Sequence, residues 1–489
     1  MSALKKLAGE TAIYGIPSIL GRLLNWLLIP LYTNIFIESE YGVVVNLYAY
    51  MALLLILLTY GIETSFFRFA GKTNRPEKVF STSLISLLAT SLMFLVLIVC
   101  NTTRIAQLID YSGNSEYIRW MAIIIALDAV TAIPFAQLRF RKKAVKFASI
   151  KMINILVMIG LNLFFLLLCP WLIKNGFTFV ENIYSEKIGV GYVFISNLLA
   201  SGLTLLLLLP EMFRVKWSFD KELLKSMLKY GFPILLVGIA GVINQSMDKI
   251  LLKELLPEGT DGMAQTGIYG ANYKLGIFMA LFIQAFRYAF EPFFFSQKSG
   301  ADTKQIYADI MKYFVVFGLV IFLGVMFYID IVKLLIGSRY HEGLKVVPLI
   351  LMANLFLGIF YTLSLWYKLT DKTKFGAYFA YMGAGITLAL NFILVPKIGY
   401  MGSAIAGLTC YVFMTIASYF VGRKHYPIPY DLKSILFYFG VATILFLVSI
   451  QISPEGLIAR LGVNTLLMLG FMTIILRKEK ALLKGLRRK

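Results

Sequence analysis

Charges that interrupt apolar stretches are the residues of this chain best suited to chemistry. Arg22, Lys151, Lys249, Lys274 and Arg287 fall inside such stretches, as do the acids Asp128 and Asp248, while Glu63 and Glu291 come late in theirs. At helical spacing Arg22 shares a face with Tyr14, Ser18 and Asn25. Gly241, Asn244, Gln245 and Asp248 form a small, polar stripe with Lys249 beside it. Gln284, Arg287, Tyr288 and Glu291 recur so that Arg287 and Glu291 can pair along one helix. Arg22, Lys249, Lys274 and Arg287 together could line a cationic cavity. An anionic group fits such a lining, because Arg offers several fixed donors and Lys a strong point charge. The competing reading is a set of salt bridges, most directly for Lys249 next to Asp248. Asp128 is the lone carboxylate near the middle of its stretch and the first choice for carrying a coupling proton. Otherwise it is an acid neutralised by a neighbouring Arg such as Arg22. Asp248, Glu63 and Glu291 are the remaining coupling or gate candidates. Glu63 and Glu291 fit a pair of inner gate contacts with Arg68 and Arg287, or a purely architectural role.

Other chemistry is missing. Gly71-Lys72-Thr73 ends like a phosphate-binding loop, but the first glycine would have to stand where Phe66 does. The two histidines, His341 and His425, have no cysteine partner, so no zinc or other metal site is expected and no cofactor is implied. No Gly-x-Ser-x-Gly elbow occurs. The expectation is a protein that is not an enzyme.

The elements carrying these charges follow from composition. Of 489 residues, 59% are hydrophobic and 15% charged, and the mean hydropathy is +0.77. That leaves too little polar surface to cover soluble domains of this size. The sequence divides into fourteen apolar stretches, each long enough to cross a hydrocarbon core that takes about 20 residues. They fall at about 9–34, 40–67, 79–100, 117–138, 147–173, 188–210, 226–256, 264–296, 306–330, 343–367, 375–395, 399–421, 434–452 and 457–476. The expected fold class is an all-α integral membrane protein of 14 transmembrane helices. Lys5 and Lys6 precede a stretch too long for a signal peptide, so it reads as a retained first span. The net charge of +21 would suggest nucleic acid on a soluble protein. Here 32 of the 47 basic residues sit in alternate loops and the tails, where they set topology and touch anionic lipid. The bias places both termini in the cytoplasm, and an even span count agrees. Cys100, Cys169 and Cys410 suggest no disulfide framework.

Spans 1–6 repeat in spans 7–12. Tyr14-Gly15-Ile16-Pro17 matches Tyr230-Gly231-Phe232-Pro233. Tyr41-Gly42, Met51-Ala52-Leu53 and Glu63-x-x-Phe66-Phe67 match Tyr269-Gly270, Met279-Ala280-Leu281 and Glu291-x-x-Phe294-Phe295 at one constant offset. Six spans per repeat give parallel repeats, an arrangement that argues for a transporter with a substrate site between two halves. The expected organisation is an N-lobe over 1–215, a C-lobe over 216–425, and two further helices with a basic tail over 426–489. Arg22 has Gly238 at its aligned position, so the scaffold repeats and the charge does not.

The stretch Gly15 to Phe67, with Pro30-Leu31-Tyr32-Thr33 and Glu40-Tyr41-Gly42, resembles the first two helices of polysaccharide transporters. Met247-Asp248-Lys249 with Gly267 through Leu275 resembles their span 7–8 signature, and Pro396 through Ala406 the start of their span 12. The chain is similar to Wzx-like flippases of the multidrug/oligosaccharidyl-lipid/polysaccharide exporter superfamily over essentially its whole length. The resemblance implies two lobes with alternating access in a bacterial cytoplasmic membrane. It also implies an undecaprenyl-pyrophosphate-linked oligosaccharide as substrate, with a polysaccharide polymerase and glycosyltransferases as possible partners. A lipid II flippase and a drug or cation antiporter are the alternatives within the superfamily. An integral-membrane glycosyltransferase or polymerase is the alternative from another class.

Overall fold

The structure, a computed structural model, describes residues 19–296, 301–452 and 454–479, apart from the side chains of residues 178, 289, 291–293, 295, 296, 301 and 302. Among the described residues the regular structure is entirely helical. After a first helical segment over 19–26, the principal helices are α1 (Leu28–Ile35), α2 (Glu38–Thr59), α3 (Ile62–Ala70), α4 (Pro76–Cys100), α5 (Ser115–Phe140), α6 (Ala144–Leu163), α7 (Gly191–Phe213), α8 (Lys221–Leu255), α9 (Gly262–Tyr273), α10 (Ile277–Ser296), α11 (Ala301–Phe327), α12 (Val347–Leu363), α13 (Lys374–Ile398), α14 (Tyr400–His425), α15 (Leu432–Ile452) and α16 (Leu457–Lys478).

Twelve helices among the described residues are long and apolar enough to cross a membrane. The two expected spans not among them are 9–34, which begins outside the described residues, and 264–296. The latter is not one helix: a 3-10 turn at Lys274–Gly276 separates α9 from α10. The second expected span is also broken. Tyr60 and Gly61 take positive φ angles of 34° and 70° between α2 and α3, a conformation that suits glycine far better than a residue with a side chain. Gly61 has a second reason to be glycine, since a Cβ there would lie 2.7 Å from the Gly231 carbonyl oxygen. The fifth expected span carries a π-helical turn over Phe164–Leu168. Such irregularities are tolerated in a membrane where protein rather than lipid surrounds the freed backbone groups.

The chain forms two compact units, residues 1–270 with 383–403, and residues 271–382 with 404–489. In the first, α5 is central. Its apolar window is 78% buried, against 22% for the windows carrying α4 and α6, so protein surrounds α5 while the other two leave most of their surface uncovered. Phe66, Phe80, Leu84, Ile133, Met212 and Met227 belong to one of its hydrophobic clusters. Close backbone contacts run along this unit. A Cβ on Gly42 would stand 1.9 Å from the Met263 carbonyl oxygen, and one on Gly267 1.9 Å from that of Glu38. At this crossing α2 and α9 touch backbone to backbone.

In the second unit α11 packs against α12, α15 and α16. Asn464 of α16 donates to the Phe327 carbonyl at 2.8 Å, and Arg460 pairs with Asp330 at 2.9 Å. At the other end of α16, Glu479 accepts from Lys312 and Tyr313 at 2.8 Å each and from Tyr438 at 2.9 Å. These contacts tie the last two helices to α11 at both ends.

Candidate functional site

Arg22 and Asn25 are exposed. Around the same helix Leu20, Leu23 and Leu27 are exposed too, but at 100° per residue they lie on the opposite side. The leucines suit lipid. A guanidinium in hydrocarbon costs about 2.5–3.5 kcal/mol on insertion scales, so the Arg22 side requires water or an anion. Among the described residues Arg22 makes no ion pair. Tyr14 and Ser18, expected on its face, lie outside the described residues.

Two contacts fix this helical region against α6. Tyr32 donates to Asn162 Oδ1 at 2.9 Å, and a Cβ on Gly21 would stand 2.6 Å from Ile155 Cδ1. The polar interior continues across α6, α5 and α7. Ser201 donates to Asp128 Oδ1 at 2.8 Å, and Asn154 donates to Thr204 at 2.9 Å. Lys151 stands 4.1 Å from the centroid of the Phe135 ring and within electrostatic range of Asp128, Glu63 and Arg139. The alternative in which Arg22 neutralises Asp128 is therefore corrected: Ser201 and Lys151 are the groups that attend it.

The other expected residues have definite surroundings. Lys249 Nζ lies 3.0 Å from Asp248 Oδ1 and 2.9 Å from the Gln245 carbonyl oxygen. The second Asp248 oxygen accepts from Tyr269 at 2.7 Å. This charge is neutralised within one helix rather than between helices. Glu63 pairs with Arg139, not with Arg68 as the gate reading had it, and Arg68 instead covers the Tyr230 ring at 4.0 Å. On the second unit, Arg287 covers the Tyr361 ring at 4.4 Å and Lys274 is exposed at the 3-10 turn. The side chain of Glu291 lies outside the described residues, so the expected Arg287–Glu291 pair does too. Among the described residues no group of three or more His, Cys, Asp or Glu side chains is placed to hold a metal ion.

Sequence reading missed two sets of residues. Lys151 falls inside an apolar stretch with no role evident from its neighbours, although its spacing from Asn154 and Asn162 marks a polar face of α6. Glu211, fully buried, gathers Lys146 at 2.7 Å, Arg214 at 3.1 Å and Lys143 at 3.2 Å. Its only signal was an acid standing among basic loop residues.

Comparison with solved structures gives the fold. A lipid II flippase MurJ in an inward closed conformation superposes with a TM-score of 0.70 at 14% identity, covering 95% of this chain and 99% of that one. An inward-facing multidrug resistance MATE transporter of the MOP superfamily gives 0.58 at 14% identity, covering 87% and 94%. A MOP superfamily transporter from Pyrococcus furiosus, described as having a binding pocket of reversed polarity, gives 0.54 at 14%, covering 86% and 95%. The fold is that of the MOP superfamily of membrane transporters. Residues 7–298 match the family described as polysaccharide biosynthesis protein, and the chain belongs to that family. No curated protein matches it in sequence.

Proposed function

We propose that this chain translocates an undecaprenyl-pyrophosphate-linked oligosaccharide across the bacterial cytoplasmic membrane for the synthesis of a surface polysaccharide. The observation that carries the reading is Arg22, a cation in the first span, exposed on the side opposite the lipid-facing leucines and free of any ion pair among the described residues. Membership of the polysaccharide biosynthesis family supplies the class of cargo, and a diphosphate gives Arg22 a partner. Asn25 lies on the same side. Lys249, paired with Asp248, Lys274 and Arg287 are the other cations proposed for substrate binding. Asp128, held by Ser201, is the proposed coupling carboxylate. Asp248, Glu63 and Glu291 are the other acids proposed for coupling or gating. The repeat supports alternating access by lobes over 1–215 and 216–425, with 426–489 appended. Anionic lipids, a polymerase and glycosyltransferases are the proposed partners. A lipid II flippase is the second reading, favoured by the structural likeness to MurJ, and it keeps the same demand for a diphosphate site.

The test is Arg22→Leu in a strain lacking its oligosaccharide flippase, with complementation and membrane abundance measured together. Abundance should hold, since insertion becomes easier by about 2.5–3.5 kcal/mol, while surface polysaccharide is lost. Lys at this position should rescue in part, because it keeps the charge but not the forked donors. Full complementation by the Leu variant would remove Arg22 from the site.

A further inference from the structure

We propose that Lys151 and Arg22 form one pyrophosphate-binding site inside the first compact unit, with Lys151 as its second cation. That the occupant is the headgroup of a transported lipid rests on the function proposed above.

The two faces of α6 set up the argument. Ile153, Leu156 and Leu163 are exposed and form an apolar, lipid-suited face. Lys151, Asn154, Ile155, Met158 and Asn162 recur at spacings of three and four on the other side. Ile155 and Asn162 of that stripe are buried, and both meet the first helical region, through Gly21 and Tyr32. Lys151 therefore belongs to the protein-facing stripe, yet it is exposed.

The same two contacts place it near Arg22. Arg22 directly follows Gly21, which abuts Ile155, and Lys151 precedes Ile155 by one helical turn. The two cations are thus offset along the helix axes by about 7 Å, a gap that two long side chains and a bridging diphosphate can close.

Lys151 is held by no direct bond among the described residues, although it shares the electrostatic surroundings of Asp128. Among the described residues it makes no hydrogen bond and no ion pair; its nearest described partner is the Phe135 ring at 4.1 Å. The charged groups around it are Asp128, Glu63 and Arg139. Glu63 is taken by Arg139, and Asp128 accepts from Ser201. An unpaired ammonium on an interior face inside a span is costly unless water or an anion meets it, and Arg22 on the neighbouring helix has the same need. Two cations on neighbouring helices, neither in an ion pair among the described residues, make a site for a dianionic group.

The experiment is calorimetric titration of inorganic pyrophosphate into the purified full-length protein in lipid nanodiscs. Wild type should bind saturably. Lys151→Gln and Arg22→Gln should each weaken binding about ten-fold or more, Lys151→Arg should retain most of it, and Lys225→Gln, a surface charge control, should stay within about two-fold. Elution volume and thermal midpoint check folding, and Lys151→Met replaces Lys151→Gln if the latter does not accumulate. Lys151 has a rival role as counter-charge to Asp128 alone. In that case Asp128→Asn added to Lys151→Gln would restore binding, which would overturn the proposal. So would wild-type affinity in Lys151→Gln, or no saturable binding by wild type. A separate assay follows a lipid-pyrophosphate oligosaccharide across proteoliposomes. Pyrophosphate binding without movement of that lipid would sink the transport reading and leave the two-cation site standing.

Discussion

Glu479 joins three helices of the second unit through one carboxylate. Burial alone would push its carboxyl up, but the bonds from Lys312, Tyr313 and Tyr438 outweigh burial and hold it below the usual glutamate range. Its contribution to stability is therefore complete above the ordinary glutamate value, about 4.3, and is lost as pH falls through the lower folded value. Thermal unfolding between pH 7 and pH 3 should show this loss in wild type and not in Glu479→Gln. At pH 7, Lys312→Met should cost about 3–5 kcal/mol, because it strands a buried carboxylate; an unchanged midpoint would mean that water already replaces the lysine. The sequence places Lys312 in a basic loop and Glu479 in a basic tail, and gives no sign that they meet. The same holds for Glu63: the acid and its nearby Arg68 are legible, but its partner Arg139 comes from a helix 76 residues on.

At the scale of elements, the signature stretch beginning at Gly267 has a packing explanation. Gly42 and Gly267 let α2 and α9 cross with no side chain between their backbones. Gly267→Val should lower accumulation and thermal stability by at least the roughly 1–3 kcal/mol of an overpacked site, since a carbonyl oxygen cannot move aside as a side-chain tip can. Gly241 is the contrast. A Cβ there meets nothing within 4 Å, so Gly241→Ala should stabilise α8 by up to about 1 kcal/mol. Equal midpoints for the two variants would show that the crossing is looser than its geometry requires. Both glycines look alike in the sequence, and only the neighbouring helix separates them.

For the whole molecule, orientation is the testable property. A reporter fused after Lys143 should lie in the cytoplasm and one near Asn182 outside it; the reverse at either position would mean that a helix has been merged or split. The abundance of membrane helices was written in the sequence, because the partition of an apolar segment into lipid depends on that segment's own composition. Charge at the loops was equally legible, since it too is a local count. The breaks were not: Tyr60-Gly61, the 3-10 turn at Lys274 and the π turn at Phe164 interrupt stretches that each read as one continuous span. Nor, apart from the adjacent Asp248 and Lys249, were the partners of the interior charges. The sequence lists Arg22, Asp128, Lys151, Lys249 and Glu63 as costly residues that must be answered by something. Tertiary structure decided that Arg139 pairs with Glu63, that Ser201 donates to Asp128 with Lys151 nearby, and that no described residue forms an ion pair with Arg22 or Lys151. The physical reason is that the cost of a buried charge is fixed by its own segment, whereas its compensation depends on the register of helices distant in the chain.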